Sequence, residues 1–212
     1  MERFLESCRQ TVRRAIRSIA RPLNRLTGGK LSPTMITFFG FAMHIPIALL
    51  IARGYFIYAA LLLVFFGLFD TLDGELARIQ GSSSKAGMLL DSVTDKMKEA
   101  ILFIGVAYFF VWAGRPYMAV WAVVACGAGL LVSYVNAWGE VVTKDIKDDK
   151  HQSNKTFRNG IMTFDIRMLV IVVGLLANQL AIAVIFIAIM AWITALQRLR
   201  NIIQKLDRHA QN

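Results

Sequence analysis

Six apolar runs, at roughly 33–52, 55–79, 87–112, 117–142, 165–178 and 180–200, fill most of this 212-residue chain. Several reach the roughly 20 residues that an α-helix needs to cross a bilayer. With 56% hydrophobic residues arranged this way, the chain reads as one integral membrane domain. The run at 165–178 is short because Asn178-Gln179 interrupts a longer apolar stretch. A tight turn there makes the last two runs a hairpin, as against one long broken helix. The expected fold is all-α: six transmembrane helices preceded by an N-terminal amphipathic interfacial helix.

That first helix is read from residues 1–26. Phe4, Leu5, Val12, Ile16, Ile19, Leu23 and Leu26 recur at helical spacing, with Arg9, Arg13, Arg14, Arg17, Arg21 and Arg25 around them. Such a pattern suits a helix lying on a leaflet, the plainer alternative being a solvated charged helix. Pro22 is expected to kink or end it. The charge also argues against a cleavable signal peptide. The domain reading is residues 1–30 as a juxtamembrane helix, 31–205 as the six-helix domain and 206–212 as a cytoplasmic tail.

Of the 24 lysines and arginines, all but Arg53 and Arg115 fall in 1–35, 75–98, 143–167 and 197–212. By the positive-inside rule both termini are cytoplasmic, and an even number of spans agrees by placing them on one side. The net charge of +10 therefore points to anionic lipid headgroups rather than nucleic acid. Cys8 and Cys126 are too few and too far apart for a disulfide framework or a thiolate metal site. Gly127-Ala128-Gly129 reads as a place of close helix packing.

The stretch Asp70–Asp95 sets four aspartates in 26 residues of this apolar chain. An ionised Asp at the centre of a membrane helix costs about 2.5–3.5 kcal/mol, so four cost on the order of 10 kcal/mol unless paired, hydrated or bound to cations. Asp70 and Asp73 share one helix face, and Asp91 and Asp95 share another. Gly81-Ser82-Ser83-Ser84-Lys85 breaks the chain between them. A helical hairpin then presents both pairs to one volume, where Mg2+ or Mn2+, hard cations that favour carboxylate oxygen, relieve the repulsion.

The full string is Asp70-x2-Asp73-Gly74-x2-Ala77-Arg78-x8-Gly87-x3-Asp91-x3-Asp95. At all eight defined positions it resembles the signature of the CDP-alcohol phosphatidyltransferase family. The resemblance implies an enzyme that moves a phosphatidyl group from a CDP-lipid, such as CDP-diacylglycerol or its archaeal ether analogue, to the hydroxyl of a small polar alcohol. CMP is released as the acceptor attacks the β-phosphorus. Asp70, Asp73, Asp91 and Asp95 are expected at the metals, two Mg2+ or Mn2+ ions clamping the pyrophosphate. Asp95 is also expected to act as general base. Gly74, Ala77, Arg78 and Gly87 are expected around the donor: the small residues leave room, and Arg78 bridges phosphate or carboxylates. Relatives are commonly homodimers, so a homodimer is expected here, at the cytoplasmic membrane with its active site facing the cytoplasm.

Outside the signature, Ser32-Pro33-Thr34 starts the first span, with Ser32 as N-cap and Pro33 in the first turn. Thr34 stands where relatives often carry a nucleotide- and metal-side Asn. His44 reads as a hydrogen-bonded packing histidine. Ser133-Tyr134-x2-Ala137-x2-Glu140 resembles a fourth-span element of relatives, but Asn136 and Trp138 stand where users of phosphorylated acceptors often have two bases. Asp165-Ile166-Arg167 resembles an element of inositol-phosphate users. Arg167 is thus an acceptor-phosphate ligand or an interfacial snorkelling residue. Lys144 and Arg158, in a basic loop, are the other acceptor-side candidates. The basic residues point to glycerol 3-phosphate or inositol phosphate, while the missing bases at Asn136 and Trp138 keep a neutral alcohol such as serine or inositol open.

Three other classes compete. A membrane cation transporter with a carboxylate-lined site predicts acids spread across the membrane depth, whereas here they gather at one face. A membrane prenyltransferase with aspartate pairs needs more spans and leaves Gly74–Arg78 unexplained. An intramembrane aspartyl protease needs a Gly-x-Gly-Asp element, which the chain lacks.

Overall fold

The computed structural model describes residues 2–143 and 162–210, and every regular element among them is an α-helix. In chain order these are α1 (Glu2–Leu26), α2 (Pro33–Ala52), α3 (Phe56–Gly67), α4 (Phe69–Ile79), α5 (Lys85–Trp112), α6 (Pro116–Val142), α7 (Phe164–Leu176) and α8 (Leu180–Ala210). Leu68 keeps helical backbone angles between α3 and α4, so the two continue as one rod.

By length and composition four stretches can cross a membrane: Pro33–Ala52, Phe56–Ile79, Pro116–Val142 and Leu180–His209. The other two expected spans differ for separate reasons. The first 15 residues of α5 carry Asp91, Asp95, Lys96, Lys98 and Glu99. The 13 residues of α7 reach only about 20 Å, against a hydrocarbon core of about 30 Å. In contrast α8, at 31 residues, is about 46 Å long and carries its basic residues Arg198, Arg200, Lys205 and Arg208 in its second half.

The turns have local causes. Gly81, at φ 64°, makes the α4–α5 break in a left-handed conformation that is cheap only for glycine. Asn178, at φ 54°, does the same between α7 and α8, as the interrupted apolar run predicts. Ser84 caps α5, its Oγ accepting from Gly87 N at 3.0 Å. Ser32 holds the N-cap position of α2 with Pro33 in the first turn, but its side chain makes no capping bond. Pro22 does not end α1, which continues to Leu26.

The core joins Ile47 and Ile51 of α2, Leu63 and Phe66 of α3, Leu102, Val106 and Phe110 of α5, Ala122, Ala125 and Ala128 of α6, Leu175 of α7, and Val184, Ile187 and Ala191 of α8. Small residues set the helix spacing. A Cβ on Gly105 would lie 2.4 Å from the Ala48 carbonyl oxygen, so α2 and α5 approach this closely only because Gly105 has none. Large apolar side chains such as Leu61, Ile104, Val120, Val123 and Ile182 point outward, as a lipid-facing surface requires. α1 packs against α4, burying Ile16 and Ala20. The active-site candidates therefore stand where α1, α2, α4 and α5 meet.

Candidate active site between α4 and α5

The α4–α5 hairpin turns the two aspartate pairs toward each other. Asp73 is buried and accepts from Thr37 Oγ1 of α2 at 2.5 Å. Asp70 accepts from Lys98 Nζ, and Asp95 accepts from the same ammonium at 3.3 Å. Lys98 is fully buried. Asp91 Oδ1 is also buried and has no hydrogen-bond partner. The carboxylates lie within one another's field: Asp73 feels Asp91 and Asp70, Asp91 feels Asp70, and Asp95 feels both Asp70 and Asp91.

Among the described residues no three acidic, His or Cys side chains are gathered into metal-ligand geometry. The Lys98 ammonium stands between Asp70 and Asp95 instead. By donor chemistry the group fits a hard divalent cation: it is all oxygen, rich in acid relative to its one buried ammonium, and includes the unpartnered Asp91 Oδ1.

The space around the cluster is uneven. A Cβ on Gly74 would meet nothing within 4 Å, so α4 is open on that side. A Cβ on Gly87 would meet only Ser84 Oγ, at 3.4 Å. Ala77 is half-buried, and Thr34 is exposed in the first turn of α2, one turn before Thr37. Arg78 pairs with Glu75, whose other oxygen accepts from Arg17 Nε of α1 at 2.8 Å. Gln80 Nε2 donates to Asn24 Oδ1 and to the Leu31 carbonyl, both at 2.9 Å, so the end of α4 is also tied to the α1–α2 connection.

A family model of the CDP-alcohol phosphatidyltransferases matches residues 30–197, which hold the whole α4–α5 cluster. The chain belongs to the CDP-alcohol phosphatidyltransferase family. Similar members include the phosphatidylinositol phosphate synthase of Corynebacterium glutamicum, 29% identical over 180 residues, 84% of this chain and 77% of that one. The archaetidylinositol phosphate synthase of Pyrococcus horikoshii is 28% identical over 208 residues, 96% of this chain and 99% of that one. Two crystal structures of the Mycobacterium tuberculosis phosphatidylinositol phosphate synthase share the fold at 24% identity. The form with CDP-DAG bound superposes with a TM-score of 0.75, covering 89% of this chain and 94% of that one. The complex with manganese and citrate gives 0.74, covering 88% of each.

In this phosphatidyltransferase the acceptor-side candidates part company. Arg167 is fully buried and held by Glu99: Nε donates to Oε1 at 2.5 Å and Nη2 to Oε2 at 2.8 Å, while Nη1 donates to the Met162 carbonyl at 2.8 Å. Lys96 Nζ reaches Glu99 Oε2 at 3.5 Å and lies 4.4 Å above the Phe164 ring. Gly129 makes room for the pair, since a Cβ there would fall 2.6 Å from Glu99 Oε1. Lys144 and Arg158 lie outside the described residues. Glu140 accepts from Asn136 Nδ2 of its own helix at 3.2 Å rather than bonding across the bundle. His44 is buried with Nδ1 2.7 Å from the Gly40 carbonyl, as a packing histidine would be.

Sequence reasoning missed Thr37, Lys98 and Glu75 as site residues. The signal for Lys98 was present: residues 91, 95 and 98 follow i, i+4, i+7 on one helix face. Thr37 sits one turn after Thr34 on α2. Glu75 is read only once α1 is seen to pass over α4.

Proposed function

We propose that this enzyme transfers a phosphatidyl group from a CDP-lipid such as CDP-diacylglycerol to the hydroxyl of an inositol phosphate, releasing CMP. The signature aspartates support this reading, with Asp70 and Asp95 sharing the Lys98 ammonium and Asp91 keeping a buried, unpartnered oxygen. The acceptor rests on the names of the similar synthases from bacteria and archaea.

Asp70, Asp73, Asp91 and Asp95 would hold Mg2+ or Mn2+, which when bound offsets the negative charge that builds on the pyrophosphate. Thr37 fixes one oxygen of Asp73, and the Gly74 backbone N–H also bonds that carboxylate. Asp95 accepts the proton from the acceptor hydroxyl as the new oxygen–phosphorus bond forms and the bond to CMP breaks. The open side of α4 at Gly74 and Ala77, with Gly87 and Thr34 nearby, gives the nucleotide its place, and the lipid tails leave between helices. Arg78, through Glu75, orients that wall. Lys144 and Arg158 are assigned to the acceptor side, while Arg167, its guanidinium held by Glu99 and the Met162 carbonyl, braces α7 against α5.

The same proposal takes α5 and α7 as spans beside the four apolar ones, giving six. It lays residues 1–30 on the inner leaflet, assigns 31–205 to the catalytic domain and leaves 206–212 as a cytoplasmic tail. Both termini and the site then face the cytoplasm, and two copies form a homodimer. Charge placement supports the orientation.

The test is CMP release by purified protein from CDP-diacylglycerol with Mn2+ or Mg2+, offered inositol phosphate, inositol, glycerol 3-phosphate and serine in turn. Release that requires metal, inositol phosphate and an intact Asp95 is expected. Release with another acceptor alone reassigns the product, and no release with any acceptor overturns the donor.

A further inference from the structure

Lys98 is the one charged side chain that contacts both aspartate pairs among the described residues. It comes from α5, is fully buried, and its ammonium touches Asp70 of α4 and lies 3.3 Å from Asp95, one turn back on its own helix. Asp91 of α5 and His44 of α2 also feel its charge, and Asp165 of α7 acts on Asp70 in the same cluster. Two of the four carboxylates that would hold a divalent ion are therefore already occupied by a cation that belongs to the chain.

We infer that Lys98 is a resident counter-ion: it holds the metal-free site together, and its charge sets how tightly that site takes a divalent cation. This rests on the metal reading of the aspartates given above. A cluster of like-charged carboxylates drawn between two helices pushes them apart unless a cation lies among them. One fixed ammonium supplies part of that charge in advance, so the α4–α5 hairpin keeps its shape before metal arrives. The same ammonium opposes an incoming divalent ion, both by repulsion and by holding Asp70 and Asp95 oxygens that the ion needs. Lys98 is on this account a positioning residue, acting through the carboxylates.

The experiment measures Mn2+ binding and thermal unfolding of the full chain in detergent, with and without Mn2+ and with no substrate, for wild type, Lys98→Met, Lys98→Gln, Lys98→Arg and Asp91→Asn. Lys98→Met keeps the unbranched side chain to within one atom of its length and removes its charge. It is expected to bind Mn2+ at least about tenfold more tightly than wild type. Its metal-free form is expected to melt lower than wild type, and Mn2+ to raise its melting temperature by more. Lys98→Arg, with the charge kept, is expected to stay close to wild type in both measurements. Unchanged or weaker Mn2+ affinity in Lys98→Met, while Asp91→Asn loses binding, overturns the role of Lys98 and leaves the metal site standing. Wild type that binds no Mn2+, or binds it equally well without Asp91, overturns both. If neither Lys98→Met nor Lys98→Gln folds in saturating Mn2+, the ammonium supplies something a metal cannot replace, and the inference fails.

Discussion

Arg167 and Glu99 meet in a two-point ion pair across α7 and α5, at 2.5 and 2.8 Å, with neither side chain exposed to solvent. A pair buried this completely is costly to break from one side, because the remaining charge has no water to turn to. Arg167→Ala is expected to destabilise the protein by about 3–5 kcal/mol. The double variant Glu99→Gln/Arg167→Met, which removes both fully buried charges and takes a partner only from the part-exposed Lys96, is expected to recover most of that loss. Thermal unfolding of the three proteins in detergent checks both statements; a double variant no better than Arg167→Ala contradicts them.

The same pair explains Gly129. A methyl group there would sit 2.6 Å from Glu99 Oε1 and 2.9 Å from Arg167 Nε, both inside van der Waals contact. Gly129→Ala is expected to cost about 1–3 kcal/mol by forcing the pair aside. Gly127→Ala is the control, since a Cβ at Gly127 meets nothing within 4 Å. It should unfold at nearly the wild-type temperature.

Thr37 is the only described side chain outside α4 that hydrogen-bonds Asp73. Removing a hydrogen bond to a charged group costs about 1.5–3 kcal/mol. Thr37→Val keeps the shape and removes the donor. It is expected to lower kcat/KM for CMP release by about ten- to a hundredfold and to raise the Mn2+ concentration giving half-maximal rate. Thr37→Ser, which keeps the hydroxyl, should restore most of the rate. Equal rates for Val and Ser variants would show that the bond does nothing for catalysis.

Chelation gives a coarser check. EDTA is expected to abolish CMP release, and Mn2+ or Mg2+ in excess of the chelator to restore it, because four carboxylates and one ammonium cannot by themselves offset a bound pyrophosphate. Activity that persists in EDTA removes the metal from the proposal.

How much of this was legible before the structure follows from what kind of information each feature needs. Apolar runs encode helices directly, and the polar Asn178-Gln179 step encodes the α7–α8 turn, because a left-handed Asn is a local event. The aspartate signature is likewise local, since i, i+3 and i, i+4 spacing fixes a face. Partners across helices are not local. Thr37 lies 36 residues from Asp73, Arg17 lies 58 from Glu75, and Arg167 lies 68 from Glu99. Arg167 shows the limit best: its sequence neighbours suggest a phosphate ligand, while the packing gives its guanidinium to Glu99. Pro22 shows another, because tertiary contact of Ile16 and Ala20 with the bundle carries α1 past a residue that ends most helices.

Arg17 gives the last test, of whether α1 contributes to the site. Glu75 is only 1% exposed, and two arginines share its carboxylate: Arg78 from its own helix and Arg17 from α1. Arg17 is 49% exposed, so its share is modest, about 1 kcal/mol. Without it, Glu75 keeps Arg78, and the fold is expected to survive. What changes is the hold of α1 on α4, whose other face carries Asp70, Asp73 and the open wall at Gly74. Arg17→Ala is therefore expected to raise KM for CDP-diacylglycerol, lowering kcat/KM by about fivefold with kcat nearly unchanged. Arg17→Lys should recover part of the loss by keeping the charge but not the Nε geometry. A fall in kcat at constant KM would place Arg17 in the chemistry instead. No change in either constant would reduce the Arg17–Glu75 contact to surface packing.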